Sequence, residues 1–255
     1  MSSVQVYFVG AGPGDPDLIT VKGRRLLEEA DVVIYAGSLV NPAVLAVTPA
    51  GCEIHNSASM TLDEVIAVMK AGVEQGKKVV RLHTGDPSIY GAIQEQIDLL
   101  NKLEIRWQVV PGVSSFLAAA AALGQEYTLP GVSQTVIITR MEGRTPVPEK
   151  EQIRSLAAHQ TTMCIFLSVH MFGELVQELL DGGYAADTPV AVVEKASWPE
   201  QRIFRGTLTT IADQLVAAGV SRTAMVIVGD VLAREYEQSR LYAPEFGHMF
   251  REAKP

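Results

Sequence analysis

The stretch VGAGPGDPDLIT, Val9 to Thr20, constrains this chain more than any other. It follows directly on the apolar, β-branched and aromatic run Val4–Val9, and behind it Val21, Leu26 and Leu27 fall at helical spacing. Strand, glycine turn, helix is the order that results. Gly10, Gly12 and Gly14 leave little side-chain bulk in the turn, so backbone N–H groups there can approach a ligand closely. A strand that hands its chain straight to a helix is the start of a crossover to a parallel neighbour. The loop therefore commits this region to an α/β sheet covered on both faces.

The pattern repeats. Asp31–Tyr35 reads as a second strand, followed by the helix Leu62–Glu74, whose Val65, Ile66, Val68, Met69 and Val73 share one face and which Gly76 stops. Lys78–Leu82 runs into HTGDPSIYG, His83 to Gly91, and the helix Ile93–Leu100; Trp107–Val110 runs into PGVSS, Pro111 to Ser115, and the alanine-rich helix Phe116–Leu123. Past Gly124 the register changes. Strands are predicted at Thr135–Thr139, Met163–Leu167, Val190–Glu194, Ile203–Gly206 and Ala224–Val228, with helices at Lys150–Ala158, Phe172–Leu180 and Leu208–Ala218. No helix separates Val190–Glu194 from Ile203–Gly206, so the second sheet is predicted to be mixed. The expected organisation is an N-terminal α/β domain with glycine loops over 1–120, a C-terminal α/β domain over 121–233 and a charged surface tail over 234–255, the boundary falling near Leu117–Gln125.

Composition excludes several function classes. With 47% hydrophobic and 20% charged residues the 255-residue chain is built to fold, not to stay disordered. A formal net charge of −8 repels a phosphate backbone, so nucleic acid is not the expected partner. The longest apolar run, Phe116–Leu123, is far short of the ~20 residues that cross a bilayer, and no membrane partner is expected. Cys52 and Cys164 lack the spacing of a disulfide framework or a thiolate metal site, which fits a reducing, cytoplasmic compartment. His55, His83, His159, His170 and His248 are scattered without ligand spacing, so no metal is expected; only His83, beside Thr84 at a strand end, falls near a candidate site.

The glycine loop is not a dinucleotide fingerprint. Asp15 stands where the third glycine belongs, the run Val32–Tyr35 ends in Ala36 and Gly37 instead of an acid, and no GxxxxGK[ST] loop occurs. Taken alone, the loop is either a ligand cradle or a bare turn. Three loops, around Pro13, Asp86 and Ser114, nevertheless all follow strands and precede helices, which brings them to the carboxyl edge of one sheet, where ligands bind. Asp86 offers a carboxylate either to a helix start near Ser88 or to a ligand hydroxyl, and Ser114 and Ser115 offer hydroxyls and N–H groups at another helix start, as caps or as contacts.

The set GAGPGDPDLIT, TGDPSIYG, PGVSS and AMVIVGDV (Ala224 to Val231) resembles the tetrapyrrole methylase family, across nearly the whole chain from about Val4 to Val231. YAGSLV (Tyr35 to Val40), HNSASMTLDE (His55 to Glu64) and TRMEGRTPVPE (Thr139 to Glu149) resemble the branch of cobalamin biosynthesis that methylates precorrin-4, or its cobalt complex, at ring carbon eleven. The resemblance implies two α/β domains of the class III methyltransferase type, S-adenosylmethionine as donor in the cleft between them, S-adenosylhomocysteine as product, and a homodimer. Carried over by position, it makes Pro13, Thr84, Gly85, Asp86, Ile89, Ser114, Ser115, Leu167, Ala196 and Ala224 donor contacts. Thr84 stands where uroporphyrinogen-type relatives carry glycine, Leu167 where they carry methionine, and no Asp follows Tyr35, which favours the precorrin-4 branch over a methylase acting on another ring carbon.

The implied acceptor is a flat macrocycle bearing many carboxylates. Arg140 and Arg144, flanking the MEG turn, are candidates to hold them, against the alternative of ordinary solvated arginines; Asp15 and Met141 are candidates to face the same substrate. Trp198, before Pro199, either stacks on the ring or simply packs. An activated sulfonium methyl attacked in line by a ring carbon that becomes quaternary needs alignment and not a base, and no catalytic acid–base residue is identified.

Overall fold

The computed structural model describes residues 4–233 and 236–253. They divide into two compact units, one holding the chain to Ala119 together with Lys195–Arg202, the other holding Ala120–Glu194 and the chain from Ile203.

In the first unit the strands β1 (Val6–Gly10), β2 (Val32–Tyr35), β3 (Glu53–Asn56), β4 (Val79–His83) and β5 (Trp107–Val110) alternate with the helices α1 (Val21–Glu28), α2 (Leu62–Glu74) and α3 (Gln94–Lys102), and α4 (Ser115–Leu123) leads into the second unit. All strand pairs are parallel, in the order β3-β2-β4-β1-β5. Central strands bury both faces. Phe8, Ile34 and Val79 pack with Met69 of α2 and Leu100 of α3 on one side, while Val9, Val33, Val80 and Leu82 pack with Leu27 of α1 on the other. Local chemistry sets the helix ends. Thr20 Oγ1 accepts from Gly23 N at 3.1 Å to start α1, and Thr61 and Glu64 form a reciprocal capping box at α2. Strand β3 is the one element of this sheet without a sequence signal. It is an exposed edge strand, EIHN, with no apolar face to bury, and pairing with β2 alone makes it a strand.

The second unit holds β6 (Val136–Arg140), α5 (Ile153–Ala157), β7 (Thr162–Phe166), α6 (Phe172–Asp181), β8 (Pro189–Glu194), β9 (Arg202–Thr207, whose first residue clusters with the first unit), α7 (Ile211–Ala217) and β10 (Ala224–Val228). The sheet is mixed, in the order β6-β7-β10-β8-β9: β6 and β7 run parallel, and β10 is antiparallel to both β7 and β8. Met163, Ile165, Val226, Leu175, Leu179 and Ile211 form its core.

Two helices are shorter than their periodicity predicts. Ahead of α5, Gln152 is extended (φ −60°, ψ 147°), which separates a short turn at Glu149–Glu151 from the helix. Ahead of α7, Thr210 Oγ1 accepts from Thr207 N at 2.9 Å and lies 3.0 Å from Thr207 Oγ1, so threonine hydroxyls take over the backbone where the helix would have begun. Of the predicted tail, Arg234, Glu235, Lys254 and Pro255 lie outside the described residues. Within it Arg251 donates to the carbonyls of Leu241, Ala243 and Phe246, folding the segment on itself.

Candidate functional site

Three loops leave the carboxyl ends of β1, β4 and β5, and glycine lets them touch. A Cβ on Gly10 would lie 2.5 Å from the Gly85 carbonyl oxygen and 2.6 Å from Gly112 Cα; one on Gly112 would lie 2.1 Å from the same oxygen. Ala11 N donates to His83 O at 2.7 Å, and Gly12 and Gly85 exchange backbone bonds, Gly85 N to Gly12 O at 2.8 Å and Gly12 N to Gly85 O at 3.3 Å. Both glycines have left-handed backbone, φ 79° and 61°, which a side chain would strain.

Asp86 ties the second loop to the third. Its Oδ2 accepts from Gly112 N at 2.8 Å and its Oδ1 from Ser88 N at 2.8 Å. The capping alternative weighed from sequence takes a different form: no helix starts at Ser88, and Asp86 closes an Asx turn, with α3 beginning only at Gln94. Past Ile89 the chain is strained, with Tyr90 and Ala92 at φ 55° and 49°. In the third loop Ser114 is buried and its carbonyl accepts from Leu117 N and Ala118 N, so it opens α4 through its backbone; Ser115 follows, half-buried. Pro13, Thr84, Gly85, Asp86, Ile89, Ser114 and Ser115 are thus brought to one sheet edge. The buried Ala196 belongs to the same unit.

Two buried polar atoms at the end of β4, Thr84 Oγ1 and His83 Nε2, have no partner among the described residues. Buried polar atoms are otherwise paired, so an orphan beside the second loop marks a place where a ligand or a water would complete the set. Burial, together with the Arg81 guanidinium on the same strand, pushes the His83 imidazole down to about 3, so it is neutral at physiological pH. Arg81 is itself buried, donating to Gln96 Oε1 and the Ile34 carbonyl, and burial lowers it to about 10.

The second unit carries its own cluster. Leu167, directly after β7, is 56% exposed with φ 54°, a strained apolar residue held open to solvent. Ser168 fixes that turn: its hydroxyl donates to Phe166 O at 2.6 Å and accepts from Met141 N at 2.9 Å. The register that pairs Val226 with Ile165 carries Ala224 to the level of Leu167, so these two donor candidates share one end of the sheet.

The acceptor candidates separate. Arg140 spends its guanidinium on its own loop, donating to the carbonyls of Met141, Thr145 and Pro146 at 2.9–3.1 Å. Arg144, in the loop so held, is exposed. Met141 is only 9% exposed and lines a cavity of about 380 Å³ with Glu142, Ile153 and Glu174. Asp15 caps the turn Pro16–Leu18, accepting from Asp17 N at 2.9 Å. Trp198 packs: its indole lies against Gly14, where a Cβ would come within 2.0 Å, and its Nε1 donates to Pro13 O at 2.9 Å. Sequence reasoning passed over Asn41 and Ser197, which hold the same loop. The Asn41–Pro42 dipeptide is a turn signal that could have marked the first; for Ser197 there is none.

The model of the tetrapyrrole (corrin/porphyrin) methylases matches residues 5–212. The chain is 58% identical to the cobalt-precorrin-4 C(11)-methyltransferase of Methanocaldococcus jannaschii, over 98% of this chain and 96% of the relative. It is 49% identical to the precorrin-4 C(11)-methyltransferase of Pseudomonas aeruginosa, over 96% and 98%. Among solved structures, a cobalt precorrin-4 methyltransferase superposes with a TM-score of 0.87 at 47% identity, covering 89% of this chain and 95% of that one. A uroporphyrin-III C-methyltransferase from Thermus thermophilus, complexed with S-adenosylhomocysteine, gives 0.76 at 32% identity over 90% and 99%.

Proposed function

The chain belongs to the tetrapyrrole (corrin/porphyrin) methylases, and from that premise we propose that it methylates precorrin-4, or its cobalt complex, at ring carbon eleven in cobalamin biosynthesis. The observation that carries the donor side is the meeting of three glycine loops at the carboxyl edge of the parallel sheet, with the adjoining Thr84 hydroxyl unpartnered among the described residues. S-Adenosylmethionine, when bound, supplies an activated sulfonium methyl group. In the first unit Pro13, Thr84, Gly85, Ile89, Ser114, Ser115 and Ala196 are the residues to hold and orient it, and in the second unit Leu167 and Ala224 are the candidates for that role; Asp86 keeps the second and third loops together and has lone pairs left for a ligand hydroxyl. On the acceptor side the charge falls to Arg144. Arg140 orders the loop that presents it, and Asp15 and Met141 border the same substrate. The protein's contribution to rate is alignment and exclusion of water, since a ring carbon that becomes quaternary releases no proton. The same reading makes the working form a homodimer in the cytoplasm; two free cysteines, Cys164 buried with its thiol pushed up to about 12, fit a reducing compartment, and sedimentation velocity tests the dimer.

Incubation with methyl-labelled donor and precorrin-4, its cobalt complex or uroporphyrinogen III, followed by location of the label by NMR, tests the proposal. Label at ring carbon eleven of either precorrin-4 form is expected. Label at another carbon, or only on uroporphyrinogen III, overturns the assignment.

A further inference from the structure

We propose that Ser197 and Trp198 are positioning residues that clamp the glycine loop Pro13–Asp15 in its working conformation; this rests on the methyltransferase reading above. Three consecutive residues of the loop are each held by a side chain distant in sequence. Trp198 Nε1 donates to Pro13 O at 2.9 Å, Asn41 Nδ2 donates to Gly14 O at 2.8 Å, and Asp15 N donates to Ser197 Oγ at 3.0 Å. Gly14 is glycine because the indole occupies the place of a side chain: a Cβ there would fall 2.0 Å from Trp198 Cδ1 and 2.1 Å from Nε1.

The clamp is itself braced. Ser197 N donates to Gln201 Oε1 at 2.7 Å, Trp198 N to Lys195 O at 2.9 Å and Gln201 N to Trp198 O at 3.1 Å, while Lys195 Nζ stands 5.8 Å from the indole centroid. Two of its residues, Lys195 and Ser197, adopt left-handed backbone with φ 48° and 68° although neither is glycine. A segment that merely joined β8 to β9 would have no reason to hold two such conformers, which persist only where the surroundings over-determine them. Here Ser197 is held by the Asp15 N–H that its hydroxyl accepts, and the neighbouring Trp198 by Pro13 and Gly14. The residue between the two strained positions is Ala196, a donor-contact candidate, so the segment that fixes the glycine loop also presents a contact to the donor. Pro13, assigned to the donor, and Asp15, assigned to the acceptor, therefore depend on the same clamp for their placement. Its loss leaves the sheet intact and the two reactants poorly aligned.

Ser197→Ala and Trp198→Phe test this, the second keeping an aromatic ring against Gly14 while removing the N–H donor. In steady-state methyl transfer to the precorrin-4 form that the wild type accepts, each variant is expected to lose about tenfold in kcat, as misalignment in the transition state does, with acceptor KM and S-adenosylhomocysteine Kd changed by no more than about twofold. Val65→Ala, in the α2 core of the same unit, is the control for lost stability and should leave kcat unchanged. Hydrogen exchange at the Asp15 amide gives a readout besides activity: Ser197→Ala should accelerate it, and Val65→Ala should not. Wild-type kcat in Ser197→Ala, or an equal fall in Val65→Ala, overturns the positioning role; if Trp198→Phe does not fold, Ser197→Ala alone decides. A wild type that methylates none of the acceptors overturns the methyltransferase reading instead, and unchanged Asp15 exchange in Ser197→Ala still refutes the clamp.

Discussion

Replacing Asp86 by alanine removes two acceptors at once. Gly112 N loses a charge-assisted, partly buried bond of 2.8 Å, of a class that contributes about 1.5–3 kcal/mol, and Ser88 N loses an exposed one nearer ~0.5 kcal/mol because water replaces the carboxylate. The expected cost is therefore about 2–3 kcal/mol, a large share of the ~5–15 kcal/mol that holds a domain together. With a urea slope of about 2 kcal/mol per M, the midpoint should fall by roughly 1 M. The molecule supplies its own probe: both of its tryptophans, Trp107 on β5 and Trp198, belong to the first unit, so indole fluorescence follows the unit that holds Asp86. Because Asp86 joins the second loop to the third, donor binding should weaken as well, and calorimetry with S-adenosylhomocysteine should read a loss of about tenfold or more. Asp86→Asn is the informative companion, since its one amide oxygen can accept from Ser88 N or from Gly112 N but its NH2 then faces the other N–H as a donor. A midpoint within about 0.2 M of wild type for Asp86→Ala, with donor affinity intact, would show that the third loop is held by other means and refute the reasoning.

Other substitutions probe single atoms. Thr84→Val deletes a buried hydroxyl without a partner among the described residues, so stability should hold or rise while S-adenosylhomocysteine binds about tenfold more weakly; unchanged binding would mean that the hydroxyl does not meet the donor. His83 is depressed to about 3 in the folded chain against about 6.5 unfolded, so the unfolded state binds the extra proton and stability present above pH ~6.5 is lost on acidification, at up to ~1.4 kcal/mol per pH unit down toward pH 3. His83→Gln should flatten the stability profile between about pH 6.5 and 5, and parallel profiles for the two proteins would count against a buried neutral imidazole. Arg144→Ala should raise acceptor KM while leaving S-adenosylhomocysteine affinity alone, and equal loss of both in separate titrations would remove it from the acceptor side.

What the sequence determined by itself was whatever is written locally. Apolar runs ending in Gly10, Gly85 and Gly112 dictated strands that leave through glycine turns, and the alternation with helices dictated a parallel sheet, because a strand joined to the next by a helix must re-enter in the same direction. The helix Leu62–Glu74 was legible end to end, since one apolar face, a Thr61–Glu64 capping box and Gly76 all agree. The motifs also placed Pro13, Thr84–Ile89 and Ser114–Ser115 on one edge, because parallel strands present all their carboxyl ends together. Tertiary structure decided the rest. Strand β3 exists only through its neighbour; Arg140 turned inward to three carbonyls of its own loop, an acceptor set that no spacing reveals; and Asp86 proved to be a tie between loops. Trp198 and Ser197 reach Pro13 and Asp15 across more than 180 residues of chain. Periodicity and capping act within a few residues and can be read in order, whereas a hydrogen bond between distant segments depends on where the whole fold sets them down.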